Sequence, residues 1–85
     1  MASWEGVTQQ IFECVKEKSE KEHGTVYEPP NADEGKAVTK TAVGTVVLKF
    51  KLSGGTLTYE IVEKPWIVSE SAIWEGIGET IESCR

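Results

Sequence analysis

The sequence predicts an α+β domain with two helices packed on one face of a small antiparallel sheet, in the order α-β-β-β-α. Three observations carry this expectation. Between Gly44 and Lys64, apolar and polar residues alternate on both sides of Gly54-Gly55, the pattern of a β-hairpin. Near each end of the chain, apolar residues recur at three- and four-residue steps, as one stripe along a helix does. The sheet and the helices each offer a single apolar face, so the simplest packing puts both helices on the same side. At 85 residues the chain forms one domain, residues 1–85, and is too short for two cores.

The first helix is expected from Ser3, which can cap it, through Trp4, Val7, Ile11, Cys14 and Val15. Lys16 to Glu22 is an alternating-sign run that continues the helix on its solvated side. Gly24 suits a left-handed C-cap, and His23 lies in the last turn, where positive charge favours the helix dipole. Thr25 to Glu28 is either a short edge strand or loop. Pro29-Pro30 ends it, and Asn31 to Gly35 reads as loop. Val38, Ala42, Gly44, Val46, Leu48, Phe50 and Leu52 share one parity. That fits one long strand bent at Gly44, or two strands meeting near Val43-Gly44. Pro65 stops regular pairing, Trp66-Ile67-Val68 runs on extended, and Ser69 or Ser71 caps the last helix. Its stripe is Ile73, Trp74, Ile77, Ile81 and Cys84.

The hairpin register follows from both faces at once. Setting Ser53 opposite Thr56 pairs Leu52 with Leu57, Phe50 with Tyr59 and Leu48 with Ile61 on an apolar face. The other face pairs Lys51 with Thr58, Lys49 with Glu60 and Val47 with Val62. A slip of one residue would turn Phe50 and Leu48 to water, so the register is strongly specified.

Trp4 to Cys14 aligns without a gap to Trp74 to Cys84, with tryptophan, glutamate, glycine, isoleucine and cysteine in common. Two stripes under similar burial constraints, or duplication of one helical element, explain the likeness equally well. Gly6 and Gly76 fall where helix formers are favoured. Their cost is justified only if another helix, the sheet or a ligand approaches the backbone there.

The net charge of −5 is uneven: residues 1–35 and 65–85 are acidic, and residues 36–64 hold five lysines against two glutamates. The acidic ends disfavour nucleic acid. The α-β-β-β-α order is similar to that of double-stranded-RNA-binding domains. The last helix, however, opens Ser69-Glu70-Ser71-Ala72-Ile73-Trp74-Glu75, where those domains place lysines for phosphate. No apolar run is long enough for a membrane span, and the N-terminus has no signal-like pattern, so a cytoplasmic protein is expected before a secreted one. Cys14 and Cys84 are expected as reduced thiols in that compartment, with one disulfide as the alternative.

No base–nucleophile pair can be named: His23, the only histidine, sits near the end of a charged helix, out of phase with Cys14. No catalytic residues, metal site or cofactor are expected, and Glu28, Asp33 and Glu34 are the only carboxylates the proline loop would gather for a cation. The residues placed for binding are Trp66, Tyr27, Phe50, Tyr59 and Trp74. Those placed for an interface on the outer sheet face are Val43, Val47, Val62, Lys49 and Lys51, which would suit a second copy of the chain or an acidic protein partner. The first reading is a small non-enzymatic interaction module that self-associates. The second is a carrier of a small apolar ligand, with its pocket between sheet and helices. The third is a secreted inhibitor or effector stapled by Cys14–Cys84.

Overall fold

The computed structural model describes residues 1–85. It is an α+β domain of five strands and two helices. In chain order these are β1 (Ala2–Trp4), α1 (Gln9–His23), β2 (Val26–Glu28), β3 (Glu34–Thr41), β4 (Gly44–Ser53), β5 (Thr56–Glu63) and α2 (Glu70–Ser83). All pairings are antiparallel, and the strands lie in the order β1-β5-β4-β3-β2.

The central hairpin forms as its pattern demands. Gly54 and Gly55 both take positive φ, 58° and 79°, which a tight two-residue turn between twisted strands requires. Ser53 faces Thr56, Phe50 faces Tyr59, Lys49 faces Glu60 and Leu48 faces Ile61. Beyond Leu48 a register shift intervenes, and Val47 sits opposite Glu63. The expected Val47–Val62 pair is therefore absent, because the bulge places one extra residue on β5.

The long run before the hairpin is two strands, turned at Ala42-Val43 with Thr41 opposite Gly44. The turn changes which parity faces inward. Ala37 is buried, whereas Val38 pairs with Val26 and Val47 across the outer face. Val38 therefore does not share a face with Val46 and Leu48, as an unbroken strand would require. Gly44 has no room for a side chain: a Cβ there would come 2.7 Å from Cγ of Pro65. The segment Val26–Glu28 does pair, as the outermost strand.

The first helix starts later than its stripe implies. Thr8, not Ser3, caps it, with the hydroxyl accepting from the Ile11 N–H at 3.2 Å. Ser3 and Trp4 belong to β1, where Trp4 lies opposite Leu57. Three- and four-residue spacing cannot separate an inward-facing strand residue from the first turn of a helix. For the same reason the two Trp-to-Cys segments are not equivalent: Trp4 is in a strand and Trp74 is in a helix. Lys16 is a further correction. It lies buried, its ammonium donating to the Pro30 carbonyl at 3.2 Å, 3.3 Å from Glu13 and 4.4 Å from the Phe12 ring centroid. The charged face of α1 thus anchors the proline loop.

Phe12 of α1 packs on Tyr27 and Phe50, with ring centroids 6.2 and 5.6 Å apart. Val7, Val15, Leu57, Tyr59 and Ile81 complete the fully buried set. Each such side chain contributes roughly 1.5–3 kcal/mol when buried. The second helix is held by its C-terminal end. Cys14 and Cys84 form a disulfide with Cα atoms 5.8 Å apart, Lys18 reaches Ser83 at 3.0 Å, and Arg85 donates to the Glu5 carbonyl at 2.7 Å. The expectation of reduced thiols is thereby corrected: the helices bring the two sulfurs together. No helix is long and apolar enough to cross a membrane.

Candidate functional site: a cavity between the helices and the sheet

Toward its N-terminal end α2 stands off the sheet. A cavity of about 250 Å³ opens between α1, α2 and the inward face of β2, β3 and β4. The sequence builds it by using small or short side chains where a packed core would have large ones. Ala37, Thr39 and Thr41 line it from β3, and Ala72 and Gly76 line it from α2. Gly76 is decisive: a Cβ built there meets no atom within 4 Å, so the helix surface faces open space. Glycine inside a helix costs roughly 0.5–1 kcal/mol relative to alanine. At Gly78, by contrast, a Cβ would touch the Trp4 indole nitrogen at 3.6 Å.

The apolar wall consists of Val15, Val46, Leu48, Val68, Ile73 and Ile77. The polar groups are almost all hydroxyls. The Tyr27 and Tyr59 hydroxyls are 2.8 Å apart and buried, and those of Thr25 and Thr39 are 2.6 Å apart. Ser19 donates to the Val15 carbonyl at 2.7 Å, and Thr80 donates to the Gly76 carbonyl at 3.0 Å. Burial pushes the Tyr27 phenol above its ordinary range, and burial together with the neighbouring Tyr27 pushes Tyr59 well above it. Both tyrosines are therefore neutral hydrogen-bonding groups at physiological pH. No lysine, arginine, aspartate or glutamate lines the cavity. His23, Thr41 and Ala72 are its exposed members, so the mouth lies between the end of α1, the β3–β4 turn and the start of α2.

Of the five residues placed for binding, the structure brings Tyr27 and Tyr59 into the cavity. Phe50 is buried beside them but is not on its wall. Trp74 turns away toward Trp4, with centroids 6.3 Å apart. Trp66 is 91% exposed, neither a lid over the core nor part of the cavity rim, which Val68 supplies. Thr25, Thr39 and Ser19 carry no motif and are not legible as site residues. Gly76 carried the one usable signal, a glycine in an otherwise well-patterned helix.

On the outer face, Val47, Lys49 and Lys51 follow one another along β4. Lys49 and Lys51 are exposed, with Lys51 opposite Glu34 and Lys49 between Lys36 and Glu60 in the strand register. Val47 is half-buried, and Val43 and Val62 lie exposed at the β3–β4 turn and the end of β5. No group of three or more His, Cys, Asp or Glu side chains gathers as a metal site, including around Glu28, Asp33 and Glu34. Cys14, the thiol nearest in sequence to His23, is in the disulfide. Compared with known proteins, the chain matches no protein-family model, no curated protein and no solved structure.

Proposed function

We propose that this domain is a non-enzymatic binding protein that holds a small, largely apolar molecule between its helices and its sheet. The observation that carries the reading is the cavity of about 250 Å³ beneath Gly76, in a domain otherwise well packed at its other end. Pockets for small molecules are concave and mostly apolar, with a few placed polar groups, which describes this one. A groove beneath a helix glycine, open to solvent at its mouth, forgoes both close packing and helix propensity there, and an occupant would restore the first. The disulfide supports an oxidising compartment over the cytoplasm for this carrier.

A second reading, self-association, is supported by exposed Val43, Val62, Trp66 and Ile67. Native mass spectrometry of the untagged protein from its own source tests both. The expected result is a monomer with a small adduct that is lost on denaturation. A bare dimer would replace the carrier reading with the second, and a bare monomer would count against both.

A further inference from the structure

Resting on the carrier reading, we infer that two turns beside the cavity mouth dock on the surface of a lipid bilayer, from which the apolar cargo enters without crossing water. The turns are residues 41–44, between β3 and β4, and residues 65–68, between β5 and α2. They adjoin each other, since a Cβ on Gly44 would come 2.7 Å from Cγ of Pro65. Each runs straight into the cavity, because Thr41 and Val68 are on its wall. Their tips carry Val43, Trp66 and Ile67, exposed by 52%, 91% and 54%. Large apolar side chains gathered in the open at the mouth of an apolar cavity mark an interaction site.

The turns hold those side chains out. The Thr41 hydroxyl donates to the Gly44 carbonyl at 2.7 Å and accepts from the Val43 N–H at 3.2 Å. The Val68 N–H donates to the Pro65 carbonyl at 3.1 Å, and the Lys64 ammonium donates to the Val68 carbonyl at 2.8 Å. Tips already fixed in this way lose little further backbone freedom on docking.

Three observations select a bilayer over another protein. No charged residue lies within 41–44 or 65–68, so both tips enter an apolar phase without burying a charge. A few side chains on two turns fall far short of the roughly 800 Å² per partner that a stable protein pair buries, and insertion into lipid needs no matching surface. The most exposed of them is a tryptophan, whose ring suits the headgroup level of a bilayer, with an apolar body and one N–H for water. Lys40 and Lys64 are offset by Glu63 and Glu70, and the chain carries a net charge of −5. Attachment therefore rests on apolar insertion and not on attraction to anionic lipid.

Flotation with vesicles of pure phosphatidylcholine at neutral pH tests this. The wild type is expected to float with the vesicles as strongly in about 0.5 M salt as in about 0.1 M. Trp66→Ser/Ile67→Ser changes two solvent-facing side chains outside the core, so its unfolding midpoint should match the wild type. Its partition into the vesicles is expected to fall at least about tenfold. A wild type that stays in solution, flotation that vanishes at the higher salt, or a double variant that floats equally well overturns the inference. A dimer that forms through these residues in place of flotation overturns it as well. The carrier reading is decided separately by the native adduct: flotation that depends on Trp66 and Ile67 without any adduct supports the docking surface and removes the cargo.

Discussion

The space between the helices and the sheet has two ends that are built on opposite rules. At one end Phe12, Phe50, Leu57 and Ile81 are each at most 2% exposed, and the C-terminal end of α2 is locked by the disulfide. At the other, Ala37, Thr39 and Gly76 face a cavity, and Ile73 and Ile77 of α2 are only half-buried against it. The same two helices and the same sheet make both. What differs is side-chain volume, residue by residue.

The largest effects should come from the closed end. Phe12→Ala removes a side chain that touches Tyr27 and Phe50 and cannot be replaced by collapse of rigid neighbours. A loss of about 3–5 kcal/mol in urea unfolding is expected. A loss below about 1 kcal/mol would mean that this end is not the stabilising one.

Cutting the disulfide with Cys14→Ser/Cys84→Ser comes next. The bridge closes a separation of 70 residues, and its removal is expected to cost about 2–4 kcal/mol by thermal or chemical unfolding. Amide exchange should rise more in α2 than in α1, because α2 depends on that end whereas α1 keeps Phe12 and Val15 on the sheet. Equal loosening of both helices would contradict the comparison.

The smallest effect on stability, and the sharpest on function, belongs to Gly76→Leu. The added side chain grows into open space and restores helix propensity, so a gain of about 0.5–1 kcal/mol is expected. Binding of a native adduct should disappear. A destabilised variant that still binds would mean that the space beneath Gly76 is not the site.

The central hairpin was legible from Leu48 to Ile61 because its two faces demand one register: the apolar ladder of Leu48, Phe50 and Leu52 and the Lys49–Glu60 pair agree. The bulge beyond Leu48, which sets Val47 opposite Glu63, leaves no mark in the alternation. The β3–β4 turn was legible only as one of two options, since Ala42-Val43 has none of the glycine or asparagine that marks Gly54-Gly55. Trp4 lies in a strand although its spacing suits a helix stripe, because a strand residue facing the core and the first turn of a helix look alike at that spacing. Trp66, an aromatic beside a proline, has its side chain in solvent. Gly76 was visible as a residue out of place in its helix, with a ligand among the possible reasons.

By itself the sequence determined the fold class, the hairpin register from Leu48 to Ile61 and the presence of two amphipathic helices, because those follow from local periodicity and turn chemistry. Only the tertiary structure decided that Cys14 and Cys84 meet, that Lys16 is buried on the proline loop, and that Tyr27 and Tyr59 share a hydrogen bond across 32 residues. It alone decided that the space beneath Gly76 stays open. A cavity is made of the side chains that fail to fill it, and which side chains converge on one volume is set by how helices and sheet cross. No periodicity along the chain records that.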